Sequence, residues 1–533
     1  MYKLKISPNS GRISRHAFHN DWKVYALLSL FFMLQPVVIA GEKLNILFLT
    51  VDDMNFNSIG IYGCPVDDIT PNIDLLASEG LRFEWAYVQA PSCTPSRNVF
   101  HTGHYPHNSG VEGFFSVDFP QATLPEVLQM NGYFTGIIQK IIDSSPTNDI
   151  HKYWDYAKQF DIASARNPSS YYQAFDELLS KAAARGQPFY ASVNIQDPHL
   201  PFFRGPETKS GFDRTPPSRI YRPEEVPIPL CIPQHEDFRQ EVADYYSTVR
   251  RADDSVGKII NLLEKRGYRE NTIIIFISDH GMSFPFIKSN LYHQGVRTPL
   301  IVTWPNEIEK GVIDSVHMVS AIDFFPTVLE ITGIEAPGTL AGRSILPLLN
   351  GGNQQDRDVV FVEHNEGPTA EPRPMRAVHS KDYVYIFNPW GVGGYQAIME
   401  CRWYRSYATF SRLAQHDSQI RERFQFLNYR TVEELYDTRN DSYALNNLID
   451  DPNYAKVAND LRTRLKIWME ETNDYALEGY QVRNDSTQLR AFMEKRVAIS
   501  SGRTKKLEWK RNINFEGRPK GKLDGLAPAN ILY

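Results

Sequence analysis

The chain has 533 residues, 42% hydrophobic and 12% aromatic, with a formal net charge of −6. That is enough apolar material for a large core divided among two or more domains, and it excludes a fibrous or broadly disordered chain. No repeat of solenoid or propeller type is present, and four cysteines (Cys64, Cys93, Cys231, Cys401) are too few for a disulfide scaffold and are not spaced like a zinc site. They leave room for one bridge, whose partners the sequence does not choose.

In chain order, the first segment stands apart from the fold. Lys3, Lys5, Arg12, Arg15 and Lys23 face a single acid, Asp21, and are followed by "VYALLSLFFMLQPVVIAGE". A basic start, an apolar run and the small-residue ending at Ala40 read as an export signal over residues 1–40. The alternative is an uncleaved anchor, but Gln35 and Pro36 interrupt the run short of the roughly 20 apolar residues a span prefers. No stable span is expected once the signal is removed. Losing its five bases and one acid moves the formal charge from −6 to −10.

"KLNILFLTVDD" is continuously apolar, the pattern of a strand covered on both faces. "ITPNIDLLASEGLRF" predicts a helix with Thr70 as cap, Pro71 at its first position and Gly80 as its stop. Helix and strand then follow in "TLPEVLQMNGYFTGIIQ", a strand in "PFYASVNIQDPH", and a long helix from Glu241 closed by Gly267. "NTIIIFISDHG" and "TPLIVTWP" add two apolar strands. This alternation predicts an α/β domain over residues 41–355 built on a mostly parallel sheet. From about residue 356 to 480 the texture changes to short strands and a helix, "YAKVANDLRTRLKIWMEE", which predicts a smaller α+β domain. Residues 481–533 form a basic extension with little periodicity.

Two of the apolar strands end in acids, Asp52-Asp53 and Asp279-His280. Ligands of open α/β sheets gather beyond the carboxyl ends of strands. Three carboxylates meeting there would repel unless a cation lay between them, and hard divalent ions take oxygen ligands. Asp52, Asp53 and Asp279 are therefore candidate metal ligands, with His280 a further one. The plain alternative is that each acid caps a turn.

In "PSCTPSRNVFHTGHYP", Pro95 suits a first helical turn, which puts Cys93 just before a helix N-terminus where anions are favoured. Arg97, one turn on, can grip a tetrahedral oxyanion with its planar fork. A nucleophile, an anion cradle and a cation together suit attack on a sulfate or phosphate ester. A cysteine by itself is more commonly a buried structural thiol.

"CTPSR" followed by "HTG", with "LTVDD" upstream and "ISDHG" downstream, resembles the type I sulfatase family. The resemblance runs from about Leu44 to Glu470. Within the family it is nearest to the heparan N-sulfatase (sulfamidase) branch and its bacterial relatives, on "NIQDPHLPF", "FPFIKSNLY", "PMRAVHSKDYVYIFN" and "ELYDTRNDSYALNNLIDDPNY".

The resemblance implies an alkaline phosphatase-like α/β fold with a smaller C-terminal α+β domain carrying an antiparallel sheet. It implies that a formylglycine-generating maturation enzyme converts Cys93 to formylglycine. It implies a divalent ion, usually Ca²⁺ with Mg²⁺ the other candidate, held by Asp52, Asp53, Asp279, His280 and the modified Cys93. Arg97, Lys140, His199 and Lys288 resemble the groups around the sulfate, with His199 a candidate general acid. For the two lysines the alternative is an ordinary solvated surface lysine, and for His199 a turn histidine beside Pro198.

Two departures stand out. Many members carry a histidine two residues after the lysine, where this chain has Ile142, so Asp143 or a nearby histidine would have to act instead, or turnover is slow, or the alignment slips. His293 stands where many members have glutamate.

The function implied is an exported sulfatase acting on N- or O-sulfated sugars or glycosaminoglycan-like polysaccharides, periplasmic, lysosomal or secreted according to host. A phosphoester or phosphonate hydrolase on the same fold is the alternative, and a non-catalytic sugar-binding protein a third. Glu363, His364 and Arg376, near the expected domain junction, are candidates to line the substrate pocket. Arg503, Lys505, Lys506, Lys510 and Arg511 surround Trp509, where a polyanionic glycan could dock; a solvated tail is the plainer reading. No nucleic-acid motif is present, and the oligomeric state is left open.

Overall fold

The computed structural model describes residues 43–205, 214–367 and 369–504. The segment expected to be an export signal and the tail beyond Thr504 lie outside the described residues.

Eight strands form the main sheet in the order β4-β3-β5-β1-β6-β7-β2-β8. They are β1 (Asn45–Val51), β2 (Leu81–Tyr87), β3 (Phe134–Ile138), β4 (Tyr156–Lys158), β5 (Phe189–Ile195), β6 (Thr272–Ser278), β7 (Arg297–Thr303) and β8 (Val312–Ser320). Every neighbouring pair is parallel except the two made by β7, which runs against β6 and β2. β1, β5 and β6 are buried over all seven of their residues. That is why they read as unbroken apolar runs: helices cover both faces.

Register decides where the chemistry can be. Val51 pairs with both Ile195 and Ser278, so the central strands end level with one another. Asp52-Asp53, the "QDPH" loop and Asp279-His280 therefore leave the sheet along one carboxyl edge.

The second sheet is antiparallel, in the order β12-β11-β10-β9, formed by β9 (Val359–Glu366), β10 (Pro372–Ser380), β11 (Tyr383–Phe387) and β12 (Glu433–Asp437). The helix Ala455–Glu471 packs against it through Leu461, Leu465, Trp468 and Met469. The two sheets are the architecture expected from the sequence.

Local details differ from expectation in three places. Thr70 precedes the helix Pro71–Ser78 but makes no capping bond; its hydroxyl donates to Asp74 (3.2 Å) while accepting from the Gly60 amide (2.8 Å). Asp253, from the helix Arg239–Lys265, caps instead, accepting from the Asn72 and Ile73 amides at 3.2 and 2.8 Å. The extension after residue 480 is helical over Ser486–Thr504, although its apolar spacing is weak. All four cysteines are free, so the possible bridge does not form.

Candidate active site

Cys93 opens the helix Cys93–Thr102 as its first residue, one position later than expected, with Ser92 as N-cap. Its Sγ lies 3.6 Å from Asp52 Oδ1 and 3.3 Å from His280 Nε2. Burial pushes the thiol well above its ordinary pKa, so the unmodified side chain is a poor nucleophile.

The acids and cations around it interlock. Arg97 spans β1, β5 and the end of β6: it donates to Thr50 Oγ1 (2.9 Å) and Asn194 Oδ1 (2.8 Å), and its other arm lies 3.0 Å from Asp279 and 3.5 Å from Asp52. Lys140 pairs with Asp52, and Lys288 sits 3.0 and 3.1 Å from the two oxygens of Asp53. Ser283 donates to Asp53. Lys288 is fully buried and the Lys140 side chain is only 10% exposed, so the solvated-lysine reading fails for both.

These contacts set the charge states. Burial pushes the Asp52 carboxyl up, but Lys140, His199 and Arg97 together outweigh it and hold Asp52 well below the usual range. Asp279 goes the other way, raised to about 7 by burial and by the neighbouring Asp52. Asp53 (φ 64°), Gln139 (φ 62°) and Lys140 (φ 54°) occupy left-handed backbone that side chains seldom adopt. Such strain persists only where surrounding contacts over-determine it.

Next to His280 the chain needs a glycine. A Cβ at Gly281 would lie 2.1 Å from the Gln294 carbonyl oxygen. His280 Nδ1 faces the Gly281 carbonyl at 2.9 Å, which makes it the N–H and leaves Nε2 with its lone pair toward the acids.

His199 lies on a loop held from behind. Asp197 takes Arg166 (2.5 Å) and Arg251 (2.6 Å), and Arg166 also donates to the His199 and Leu200 carbonyls at 2.7 and 2.9 Å. His199 Nδ1 faces Leu200 O at 2.5 Å, so Nε2 is the atom left for other work. Burial lowers its pKa to about 4, against the pull of Asp53.

Asp52, Asp53, Cys93 and His280 each offer one donor atom, all within 4.8 Å of one another and all buried. Asp279 stands at the edge of this set, with Oδ2 3.7 Å from His280 Nε2 and 3.0 Å from Arg97. Asp52 Oδ2 and Asp279 Oδ2 are ion-paired with Lys140 and Arg97 but accept no well-aligned hydrogen bond despite burial. Carboxylate oxygens with unused lone pairs and an imidazole lone pair fit a hard divalent cation.

One participant carries no local sequence signal. Glu400, from the segment between β11 and β12, places Oε2 2.9 Å from Lys288 Nζ and accepts from Ser92 Oγ at 3.4 Å. Asp143 accepts from Thr94 Oγ1 (2.6 Å) and lies 3.8 Å from Lys140, beside the position where Ile142 departs from the family pattern. His293 instead packs against Phe56, Trp85 and Tyr87, with Nε2 3.2 Å from Arg297.

The expected pocket residues Glu363, His364 and Arg376 take their partners from the second sheet and its surroundings. Glu363 and Arg376 are register partners on β9 and β10. Glu363 accepts from the His107 amide (2.8 Å) and faces its Nδ1 (2.5 Å), while Arg376 pairs with Asp474 and donates to Asn365 (2.8 Å). His364 is buried alongside, lowered to about 4 by burial and Arg376. None of the three makes a hydrogen bond or ion pair with the residues around Cys93; they form a second, buried ionic cluster, because unlike charges paired across strands satisfy one another.

His107 predicts a pH effect there. Burial opposes its charge, but Glu363 prevails and raises its pKa. Its stabilising contribution is therefore complete below its unfolded pKa and is lost as pH rises through the higher folded value. His107→Gln should cost more stability at pH 6 than at pH 9, measured by denaturant unfolding at each pH.

The family model for sulfatases matches residues 44–334. The chain belongs to the sulfatase family. It is accordingly a hydrolase of sulfuric esters, and its site residues lie within the matched segment apart from Glu400. Human N-sulphoglucosamine sulphohydrolase is 29% identical over 471 residues, covering 81% of this sulfatase and 90% of the relative. A protein solved in complex with its substrate D-glucosamine-2-N,6-O-disulfate has a TM-score of 0.60 at 20% identity, covering 81% of this chain and 99% of the other. The phosphonate monoester hydrolase of Agrobacterium radiobacter shares the fold at TM-score 0.61 and 18% identity, covering 81% and 96%.

Proposed function

We propose that this sulfatase is exported, matures by conversion of Cys93 to formylglycine, and removes sulfate from N- or O-sulfated amino sugars of glycosaminoglycan type. The observation that carries the reading is the buried set Asp52, Asp53, Cys93 and His280, flanked by Arg97, Lys140 and Lys288. The sugar class is supported by the human relative, whose name specifies N-sulphoglucosamine. Export is supported by the signal pattern of residues 1–40; no helix among the described residues is long and apolar enough to cross a membrane.

Asp52, Asp53 and His280, with Asp279 at the edge and the oxygen of a modified residue 93, would hold Ca²⁺ or Mg²⁺, which would supply Lewis-acid stabilisation of a sulfuryl oxygen. The hydrated aldehyde would supply a hydroxyl nucleophile and a second hydroxyl able to expel sulfate afterwards. Arg97, fixed through Thr50 and Asn194, presents a preorganised positive fork, and Lys140 and Lys288 add charge without having to reorganise. His199, held through its Nδ1–H, leaves Nε2 open; to act as general acid it would first take up a proton at Nε2 and then pass it to the leaving nitrogen or oxygen, a charged form that burial makes scarce at pH 7.

The cation makes a prediction of its own. Treatment with a chelator should abolish turnover and lower the melting temperature, and Ca²⁺ should restore both. A ligand at one hundred times its Kd stabilises by about 2.7 kcal/mol. Differential scanning fluorimetry reads this with or without activity.

The functional reading is tested by sulfate release from D-glucosamine-2-N-sulfate and D-glucosamine-6-O-sulfate, set against aryl phosphonate and phosphate esters. Sulfate release at least about 100-fold more efficient than phosphonate cleavage is the expected result, since about 2.7 kcal/mol of differential transition-state binding suffices. Faster phosphonate cleavage would reassign the enzyme, and no release from any substrate would leave a binding protein.

A further inference from the structure

The segment Glu400–Tyr404 arrives from the second sheet's side of the chain, between β11 and β12, and reaches the sulfatase site. Glu400–Trp403 form a single helical turn, closed by the Tyr404 amide donating to Cys401 O at 3.0 Å. The turn is pinned at its start. Glu400, 2% exposed, holds Lys288 at 2.9 Å, and Cys401 is fully buried.

Tyr404 is the unexplained member. It is 6% exposed, yet its hydroxyl has no hydrogen-bonding partner. A phenol buried in this way is costly unless something meets it. Its surroundings are not apolar: burial raises its pKa well above the ordinary value, and Lys288, Glu400, Asp53 and Cys401 are the groups whose charges act on it. Glu400, at the start of the turn that Tyr404 closes, lies 2.9 Å from Lys288, which is itself 3.0 Å from Asp53, so the turn carrying Tyr404 borders the site.

Tyr87 provides the comparison. Its hydroxyl is also buried and unpartnered, but its ring packs against His293 and His379, and the charge acting on it comes from Arg297. Tyr404 combines an unused donor with a place on the turn whose Glu400 holds Lys288.

We propose that Tyr404 is a substrate-contacting residue whose phenol O–H donates a hydrogen bond to a sulfate oxygen held by Lys288, with Glu400 fixing the turn that presents it. This rests on the reading of Lys288 as a sulfate-binding group. It assigns to the anion pocket a neutral donor from the C-terminal part of the chain, outside the segment 44–334 that matches the family. A neutral donor adds affinity for the sulfate without adding to the positive charge that Asp52, Asp53 and Asp279 must already balance.

The test is Tyr404→Phe, which removes one oxygen and keeps the ring. Isothermal titration with inorganic sulfate should show about 10-fold weaker binding than the wild type, the size expected for losing a hydrogen bond to a charged group. The kcat/KM for the sulfated sugar should fall by a similar factor. The melting temperature without sulfate should stay level or rise, because an unpaired hydroxyl has been deleted. Equal sulfate affinity in the two proteins, or no sulfate binding by either, would overturn the assignment, as would a melting temperature lowered by several degrees, which would mark the hydroxyl as structural. The functional reading fails separately, on absence of sulfate release by the wild type, and the sulfate titration still decides Tyr404 in that case.

Discussion

Cys93→Ala should reduce sulfate release by about 10⁵-fold or more, the scale seen when a catalytic nucleophile is deleted. The fold should survive. Cys93 is 3% exposed, and its side chain is small, so alanine leaves a minor gap. Its Sγ makes only long contacts, 3.3 Å to His280 and 3.6 Å to Asp52. Removing it should therefore cost no more than about 1–2 kcal/mol of stability. Cys93→Ser should be nearly as inactive, since a single hydroxyl cannot supply both the attacking oxygen and the one that later releases sulfate. Sulfate release by ion chromatography, with the melting temperature recorded alongside, measures both halves of the expectation.

Arg376→Ala should fail for a different reason. It removes the cation that faces Glu363 at 3.4 Å and Asp474 at 2.8 Å inside a site with no exposure. Two carboxylates would be left buried beside each other. Breaking a buried pair in this way costs about 3–5 kcal/mol, and here Asp474 loses its cation while Glu363 is left with His107 alone. The expected result is a cooperative loss of stability in denaturant unfolding with an unchanged m-value. Any activity lost should return as the protein is stabilised. Adding Glu363→Gln and Asp474→Asn to Arg376→Met should recover much of the loss, because the penalty lies in the uncompensated charges and not in the missing arginine. A pocket-lining Arg376 would behave otherwise: it would raise KM without a large change in stability.

The contrast between Arg97 and Arg376 shows what a sequence makes legible. Arg97 sits one helical turn from Cys93, and Asp52-Asp53 and Asp279-His280 end strands whose burial is written in their unbroken apolar residues. Local order and sheet topology together bring these groups to one edge, so they can be named before any coordinates exist. Arg376 and Glu363 also lie close in sequence and pair across β9 and β10, but nothing local says which side of that ladder faces the catalytic pocket. Position near a domain junction suggested the pocket, and burial with Asp474 and His107 placed them in a separate cluster.

Glu400 and Tyr404 were illegible for a related reason. Glu400 reaches Lys288 through a long-range return of the chain that also carries the proposed Tyr404 contact, and "ECRWYR" contains no spacing tied to strand or helix chemistry. β7 read as another apolar strand, and its length and composition could not reveal that it runs opposite to its neighbours. The Ser486–Thr504 helix was hidden because its apolar residues do not gather on one stripe, although Leu489, Phe492 and Met493 are buried. Arg503, taken as a candidate for holding a glycan, pairs with Glu366 and lies 3.6 Å from Glu112. The other basic residues of that tail and Trp509 lie outside the described residues.

The central claim is that residue 93 acts as formylglycine. The tryptic peptide Phe83–Arg97 from catalytically active protein, produced together with a maturation enzyme, reports it directly by mass spectrometry. A mass lower than the cysteine form by roughly 18 Da, the difference made by replacing the thiol carbon's SH and H with a carbonyl oxygen, is the predicted result. Full activity in protein whose peptide carries only the unmodified thiol would contradict it.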